Sequence, residues 1–371
     1  MESKNFELAK RLRHELHQHP ELSNEEVWTK KHLIDFLKSN TELEIVDKGN
    51  WFYAAYRAKE GERNVAFRAD YDALPMDEVI DLPYGSKFPR KAHKCGHDGH
   101  AATLAAFALE IDQKGADRNI FFLFQPAEET ADGAIQCADL IKEENIDEIF
   151  GYHNMSGQPF QSVAVIDGTA QFASKGMTIS MKGTPAHASS PEDGVNPSFA
   201  IANIINELPE FTGAMKGQGR VFCTVICVSI GSKAFGISPG EGELLLTLRA
   251  LHEENLHELQ KNLENLVEVQ AKRYGLSLNF SYTDEFPETF NHKESSDKVR
   301  QIATATGMQL IEMKEALRIS EDYGHYTKLT KGAYFYLGNG EDYPHIHTSG
   351  FDFRDELIET GVELFKGLAE L

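Results

Sequence analysis

Little in this sequence suits a secreted, membrane-spanning or nucleic-acid-binding protein. It has only four cysteines, Cys95, Cys137, Cys223 and Cys227, scattered along a chain expected in a reducing compartment, so a disulfide framework is not expected. No run approaches the ~20 consecutive apolar residues needed to span a bilayer. The amino terminus, MESKNFELAKRLRHELHQHP, mixes charge with helical periodicity and lacks the apolar core and small-residue cleavage site of a secretory signal, so a cytoplasmic location is expected. Positive charge is in deficit: 37 Lys and Arg stand against 58 Asp and Glu, a net charge of −21. That balance argues against broad contact with phosphate backbones or anionic lipid, so neither nucleic acid nor membrane is an expected partner. Internal repeats and low-complexity tracts are also missing. What remains is an ordinary globular composition, 41 % hydrophobic and 26 % charged, with 15 histidines. A chain of 371 residues exceeds what one hydrophobic core usually supports, so two domains are expected.

The first 38 residues read as two helices separated at His19-Pro20, the second opened by Ser23 as cap with Glu26 three positions on. Short β-rich runs then alternate with helices. The strands fall at 43–47, 52–57, 64–69, 119–124 and 148–152, and the helices at about 98–112 and 132–144. This alternation predicts an α/β domain with a mostly parallel sheet and helices on both faces. The pattern changes near residue 173. A strand at 176–183, a helix at 196–211, the strands RVFCTVICVSI and ELLLTLRA, a helix at 253–274 and the strand LSLNFSY give β-α-β-β-α-β, the split unit of a ferredoxin-like α+β layer. Helical periodicity near 290–306, the strand GAYFYLG and a closing helix at 354–370 then resume the first pattern. The expected organisation is a discontinuous catalytic domain, 1–172 and 286–371, with 173–285 inserted as a lid and dimerisation domain.

In open α/β sheets the functional crevice lies beyond the carboxyl ends of the strands. Here those ends are consistently polar. The 64–69 strand runs into Asp70 and Asp72, and the 119–124 strand into Gln125-Pro126-Ala127-Glu128-Glu129. The 148–152 strand runs into His153-Asn154, GAYFYLG leads to His345 and His347, and HKCGHDGH holds His93, Cys95, His97, Asp98 and His100. Any one of these is ordinary solvated loop chemistry, but five together are not. Thiolate, imidazole and carboxylate are the ligand set of zinc, manganese, cobalt or nickel. Cys95 and His97, two residues apart, can reach one metal or bridge two; the plainer alternative is a structural cysteine beside surface histidines. Glu128 and Glu129 read as adjacent carboxylates on an extended segment that point opposite ways, one able to bind metal and its neighbour able to face an activated water. His187 is either an exposed loop histidine or a functional one, and Arg249, ending a leucine-alternating strand, either snorkels or clamps a substrate carboxylate. Cys137, Cys223 and Cys227 read as packed core, and His14, His17, His19, His252, His257 and His292 as solvated.

At these residues the sequence resembles the co-catalytic metallopeptidases of the aminoacylase and carboxypeptidase G family, in the amidohydrolase branch that includes hippurate hydrolase, indole-acetyl-amino-acid hydrolase and N-acetyl-diaminopimelate deacetylase. RADYDALP, HKCGHDGHAATL, FLFQPAEE, GYHN, KGTPAHASSP, SEDYG and HTSGFDFRDE occur in the family's order along essentially the whole chain. The resemblance implies two divalent ions per subunit, with Cys95 bridging and His97, Glu129, His153 and His347 as the other ligands. It implies Glu128 as general base, His187 reaching the partner subunit's active site to stabilise an oxyanion, a homodimer through the inserted domain, and Arg249 on the substrate carboxylate. Asp72 is best placed behind the ligands, orienting one of them. His345 competes with His347, which is preferred for its spacing to Phe351. Where relatives often read Asn-Val-Ile-Pro, this chain has Gly236-Ile237-Ser238-Pro239, so one expected substrate-binding amide is missing.

The expected reaction is hydrolysis of an N-acyl amino acid to a carboxylate and a free amino acid. A dipeptidase or carboxypeptidase acting on short peptides is the nearest rival. Outside that class stand a metal-binding protein without turnover and a cysteine hydrolase using Cys95.

Overall fold

Two amino-terminal helices, α1 (Ser3–Gln18) and α2 (Val27–Asn40), precede strands β1 (Glu44–Asp47), β2 (Phe52–Tyr56) and β3 (Asn64–Asp70). The chain continues through α3 (His97–Lys114), β4 (Asn119–Gln125), α4 (Gly133–Cys137), α5 (Asp139–Glu143), β5 (Glu148–Ser156), β6 (Val163–Val165) and β7 (Gly168–Gln171). Next come β8 (Ala173–Lys182), β9 (Ala186–His187), α6 (Ser198–Ala214), β10 (Val221–Ile230), β11 (Ile237–Ser238), β12 (Glu241–Ala250), α7 (Glu253–Tyr274) and β13 (Ser277–Phe286). It closes with β14 (Thr289–Asn291), α8 (Lys293–Ala305), β15 (Leu310–Glu312), α9 (Gly324–Thr327), β16 (Lys331–Gly340) and α10 (Leu357–Glu370). The computed structural model describes residues 1–61, 63–215 and 220–371. They fall into two compact units: Met1–Ala170 with Thr289–Ala316 and Glu321–Leu371, and Gln171–Glu288 with Leu317–Ser320. The brief crossing at Leu317–Ser320 has no signature in the sequence pattern.

The first unit is built on an eight-stranded sheet in the order β1-β2-β4-β3-β5-β16-β6-β15. Its centre, β4-β3-β5-β16, is parallel, while β1, β2 and the β16/β6 pairing are antiparallel. Parallel neighbours need crossovers, and α3 supplies the one from β3 to β4. The central strands are buried on both faces, which is why NVAFRAD and NIFFLFQ carry apolar runs rather than alternation. The alanine-rich α3 is buried on every side from His97 to Ile111, and Gly99 lets Phe353 lie against it: a Cβ there would fall 2.2 Å from that ring.

Three local expectations are corrected. Ser23 does not cap α2; the amides of Trp28 and Thr29 donate to the Glu21 carboxylate (3.1 and 2.8 Å), which frees Ser23 and Glu26 to bond inward. The 132–144 helix is two short helices, α4 and α5, meeting at Ala138. His17 is not solvated, because it lies on the buried stripe of α1 beside Leu16 and Arg13.

In the second unit, β8-α6-β10-β12-α7-β13 folds into an antiparallel sheet in the order β10-β12-β8-β13. Met177, Ile179 and Met181 of β8 and Leu244, Leu246 and Leu248 of β12 alternate inward to meet Ile204, Leu208, Leu259 and Leu263 from α6 and α7. The edge strand β10 departs from expectation. Cys223 is half-buried and Cys227 exposed rather than packed core, because β10 pairs only with β12 and most of it lies open. Val225, Ile226 and Val228 are exposed with it.

Candidate metal centre

The polar groups that follow the parallel strands converge. β3 delivers Asp70 and, just beyond, Asp72; β4 delivers the turn carrying Glu128 and Glu129; β5 carries His153 and Asn154; the loop after β16 carries His347. Cys95 and His97 enter at the amino end of α3. The glycine between them is required: Gly96 has φ +101°, and a Cβ there would fall 2.2 Å from Asn154 Oδ1.

Cys95 Sγ lies 3.3 Å from His153 Nε2 and 3.2 Å from His347 Nε2, which is itself 3.3 Å from Glu129 Oε1. His97 Nε2 faces Glu129 Oε1 at 3.8 Å and Glu128 Oε2 and Asp70 Oδ2 at 3.9 Å. Two ligand-sized clusters therefore share the cysteine: Cys95, His97 and His153, and Cys95, Glu129 and His347. His345 is not among them, and its exposed ring lies near Gly157. His347 adopts φ +59°, a backbone conformation costly for a non-glycine residue, and its N–H donates to Lys94 O (2.7 Å).

One expectation about the glutamates is corrected. They sit on a turn, after Ala127 at φ +51°, not on an extended segment. As a result both carboxylates face His97 instead of opposite ways. Carboxylates behind the turn hold its backbone. Ala127 N donates to Glu26 Oε1 (2.8 Å), and Glu129 N to Asp72 Oδ2 (3.0 Å). Asp72 Oδ1 accepts His97 Nδ1, and Asp72 Oδ2 also accepts the Ser23 hydroxyl at 2.7 Å.

The centre is rich in buried negative charge. Burial opposes protonation of His97, yet Asp70, Asp72 and Glu129 raise it to about 10. Burial, with Glu129 and Glu128 beside it, pushes the Cys95 thiol well above its ordinary range. Burial, then Glu321 and Glu129, do the same to the Glu128 carboxyl. Burial and the neighbouring His100 and His97 hold His153 well below its usual value, so it is a neutral imidazole able to ligate. Among the described residues, His97 Nε2 and Glu129 Oε1 are buried without a hydrogen-bond partner. Orphaned polar atoms facing one another, a thiol, the neutral imidazole of His153 and a cluster of buried carboxylates fit borderline-soft divalent cations.

Behind the ligands lies a supporting shell whose central arginine went unnoticed in the sequence. Arg68, fully buried, donates to Gln125 Oε1 (2.7 Å), Asp70 Oδ2 (2.6 Å), Glu321 Oε1 (2.9 Å) and Asp322 Oδ1 (3.0 Å). His100 Nδ1 donates to Asp70 Oδ1 (2.7 Å), with its Nε2 2.6 Å from Asn154 Oδ1. His93 is buried, and burial lowers it to about 4. For Arg68 the signal in the sequence was an arginine near the end of an apolar strand and the acidic pair in SEDYG.

His187 and Arg249 belong to the second unit. His187 pairs with Ile237 across β9 and β11 and is exposed, its Nδ1 2.7 Å from Ser189 Oγ. Arg249, on β12, donates through Nη1 to Arg318 O (2.9 Å) and Ser320 Oγ (2.7 Å), both neutral, and burial lowers its pKa.

Among the described residues no helix is long and apolar enough to cross a membrane. The model of peptidase family M20/M25/M40 matches residues 66–371. The chain is 27 % identical to the N-acetylcysteine deacetylase of Bacillus subtilis, over 96 % of this chain and 95 % of that one. It is 27 % identical to the hippurate hydrolase of Campylobacter jejuni, over 97 % and 95 %. Among solved structures it resembles a Bacillus subtilis protein described as a dinuclear metal binding peptidase from the M20 family. The TM-score is 0.83 at 25 % identity, covering 99 % of this chain and 98 % of that one.

Proposed function

Because the chain belongs to peptidase family M20/M25/M40, we propose that it is a metal-dependent amide hydrolase that cleaves N-acyl amino acids, acetyl, benzoyl or similar, to a carboxylate and a free amino acid. The observation that carries this reading is the meeting of Cys95, His97, Glu129, His153 and His347 at one place, with Glu128 beside them. Cys95, His97 and His153 would hold one ion, and Cys95, Glu129 and His347 the other. The donor set suits zinc, manganese, cobalt or nickel. Two bound divalent ions supply positive charge that makes water nucleophilic near neutral pH and stabilises negative charge on an amide oxygen.

The protein's own groups then do the following. Asp72 fixes the His97 tautomer by accepting from Nδ1, leaving Nε2 to ligate. Glu128 takes a proton from the attacking water and delivers it to the leaving amine nitrogen. The carbonyl carbon gains the water oxygen as its bond to nitrogen breaks, so carboxylate and amine leave without a covalent enzyme intermediate. His187 donates a hydrogen bond to the tetrahedral oxyanion. Arg249, half-buried and hydrogen-bonded to neutral groups, binds the amino acid carboxylate.

A homodimer through the second unit, with His187 serving the partner's site, accords with the exposed apolar edge of β10. The test is Glu128→Gln, assayed on a panel of acyl amino acids and dipeptides with manganese, zinc, cobalt or nickel. Metal uptake should persist while turnover falls by about 10²-fold or more. Retained turnover removes Glu128 from this role, and preferential cleavage of dipeptides reassigns the substrate.

A further inference from the structure

The centre's least expected neighbour is a lysine. Lys94 immediately precedes Cys95, and its side chain is fully buried. A buried ammonium is tolerated only where its donors are matched. Here Nζ donates to the Glu78 carboxylate and to Phe351 O, the latter at 2.8 Å. Glu78 is held in turn by His17 Nε2 (3.0 Å) and the Ser86 amide (2.7 Å).

The backbone of the same residue faces the same loop. Lys94 O accepts the N–H of His347. One residue thus grips the loop at both 347 and 351, either side of the turn closed by Phe351 N to Thr348 O (3.1 Å). His347 holds its strained φ of +59° between those two points. A residue in that conformation persists only where its surroundings over-determine it. These contacts join the Cys95 segment to the loop that brings Nε2 of His347 to 3.2 Å from Cys95 Sγ.

We propose that Lys94 is a positioning residue that staples the His347 loop to the Cys95 segment and so sets the affinity of the cation position shared by Cys95, Glu129 and His347, but not that of the position using His97 and His153. This rests on the two-cation reading above. The ammonium does not touch the ions; it acts through the loop geometry.

The test is competitive titration of the metal-stripped full-length protein with manganese or zinc against a chromophoric chelator, without an activity readout. Wild type should take up two equivalents. In Lys94→Met one equivalent should weaken by about tenfold or more, the scale of losing a ligand's supporting contact, with the other unchanged within about twofold. The loss should be absorbed when combined with His347→Ala and additive with His153→Ala, a pattern that general destabilisation would not give. Should Lys94→Met fail to fold, Glu78→Gln weakens the same staple while leaving the Phe351 bond, and should shift the same equivalent in the same direction. Two unchanged equivalents in the variant, or equal weakening of both, overturn the inference. Fewer than two equivalents in wild type would instead overturn the two-cation reading, and this inference with it.

Discussion

His97 Nδ1 lies 3.0 Å from Asp72 Oδ1, and the other oxygen of the same carboxylate holds the amide of Glu129. One carboxylate therefore orients a proposed ligand and fixes the turn carrying both glutamates. Asp72→Asn removes the charge and places an amide nitrogen where one acceptor stood. Cation affinity should fall by about 10- to 100-fold, read by chelator competition, with little change in far-UV circular dichroism. Unchanged affinity would show that Asp72 does not govern His97.

Glu26 is buried beside the site, and burial together with Asp72 raises its carboxyl to about 8 from 4.5. A folded-state value above the unfolded one means that this group lowers stability progressively as pH rises from about 4.5 through 8. Glu26→Gln keeps an acceptor for the Ala127 amide but cannot ionise. At pH 9 it should exceed wild type by a few kcal/mol in urea unfolding, with the difference closing toward pH 4. A constant difference at both pH values refutes the assignment.

His17 bends stability the same way through a different contact. Burial opposes its protonation, but Asp98 and Glu78 raise it to about 9 from 6.5. Its contribution is complete below about pH 6.5 and disappears as pH climbs through 9. His17→Gln should cost on the order of 3 kcal/mol at pH 6 and distinctly less at pH 10. Equal losses would mean that packing, not charge, is what His17 supplies.

The open edge of β10 carries the dimer proposal. Ile226 is 59 % exposed and falls at the register shift between Val225 and Cys227. A lysine there should prevent edge-to-edge pairing. Ile226→Lys should run as a monomer in light scattering where wild type runs as a dimer, and should lose turnover because His187 no longer reaches a neighbour. A fully active monomer would refute service by the partner's His187.

How much of this was readable beforehand differs by element. The parallel centre of the sheet was legible because fully buried strands must be apolar runs, and the acidic and imidazole groups were legible because they follow those runs. α7 was placed at both ends, its amphipathic stripe closing at Gly275. β10 misled, since an apolar strand at an edge reads the same as one in a core. His17 misled for the opposite reason: on a charged helix, only the tertiary positions of Asp98 and Glu78 make a buried imidazole tolerable. Glu128 and Glu129 could be recognised as chemistry, but the left-handed Ala127 that turns both toward His97 leaves no trace in residue type. Arg68 and Lys94 were hidden because tertiary partners, Glu321 for the first and Glu78 with Phe351 O for the second, decide whether an inward cation is matched.

Arg68 gives the molecule a sense of completion. It sits on one of the first strands, yet the acids that neutralise it, Glu321 and Asp322, are 253 and 254 positions downstream. A ribosome must deliver nearly the entire polypeptide before that cation has its full set of anions. The amino-terminal portion, although it already contains Cys95 and His97, therefore lacks the two anions, Glu321 and Asp322, that complete the neutralisation of Arg68.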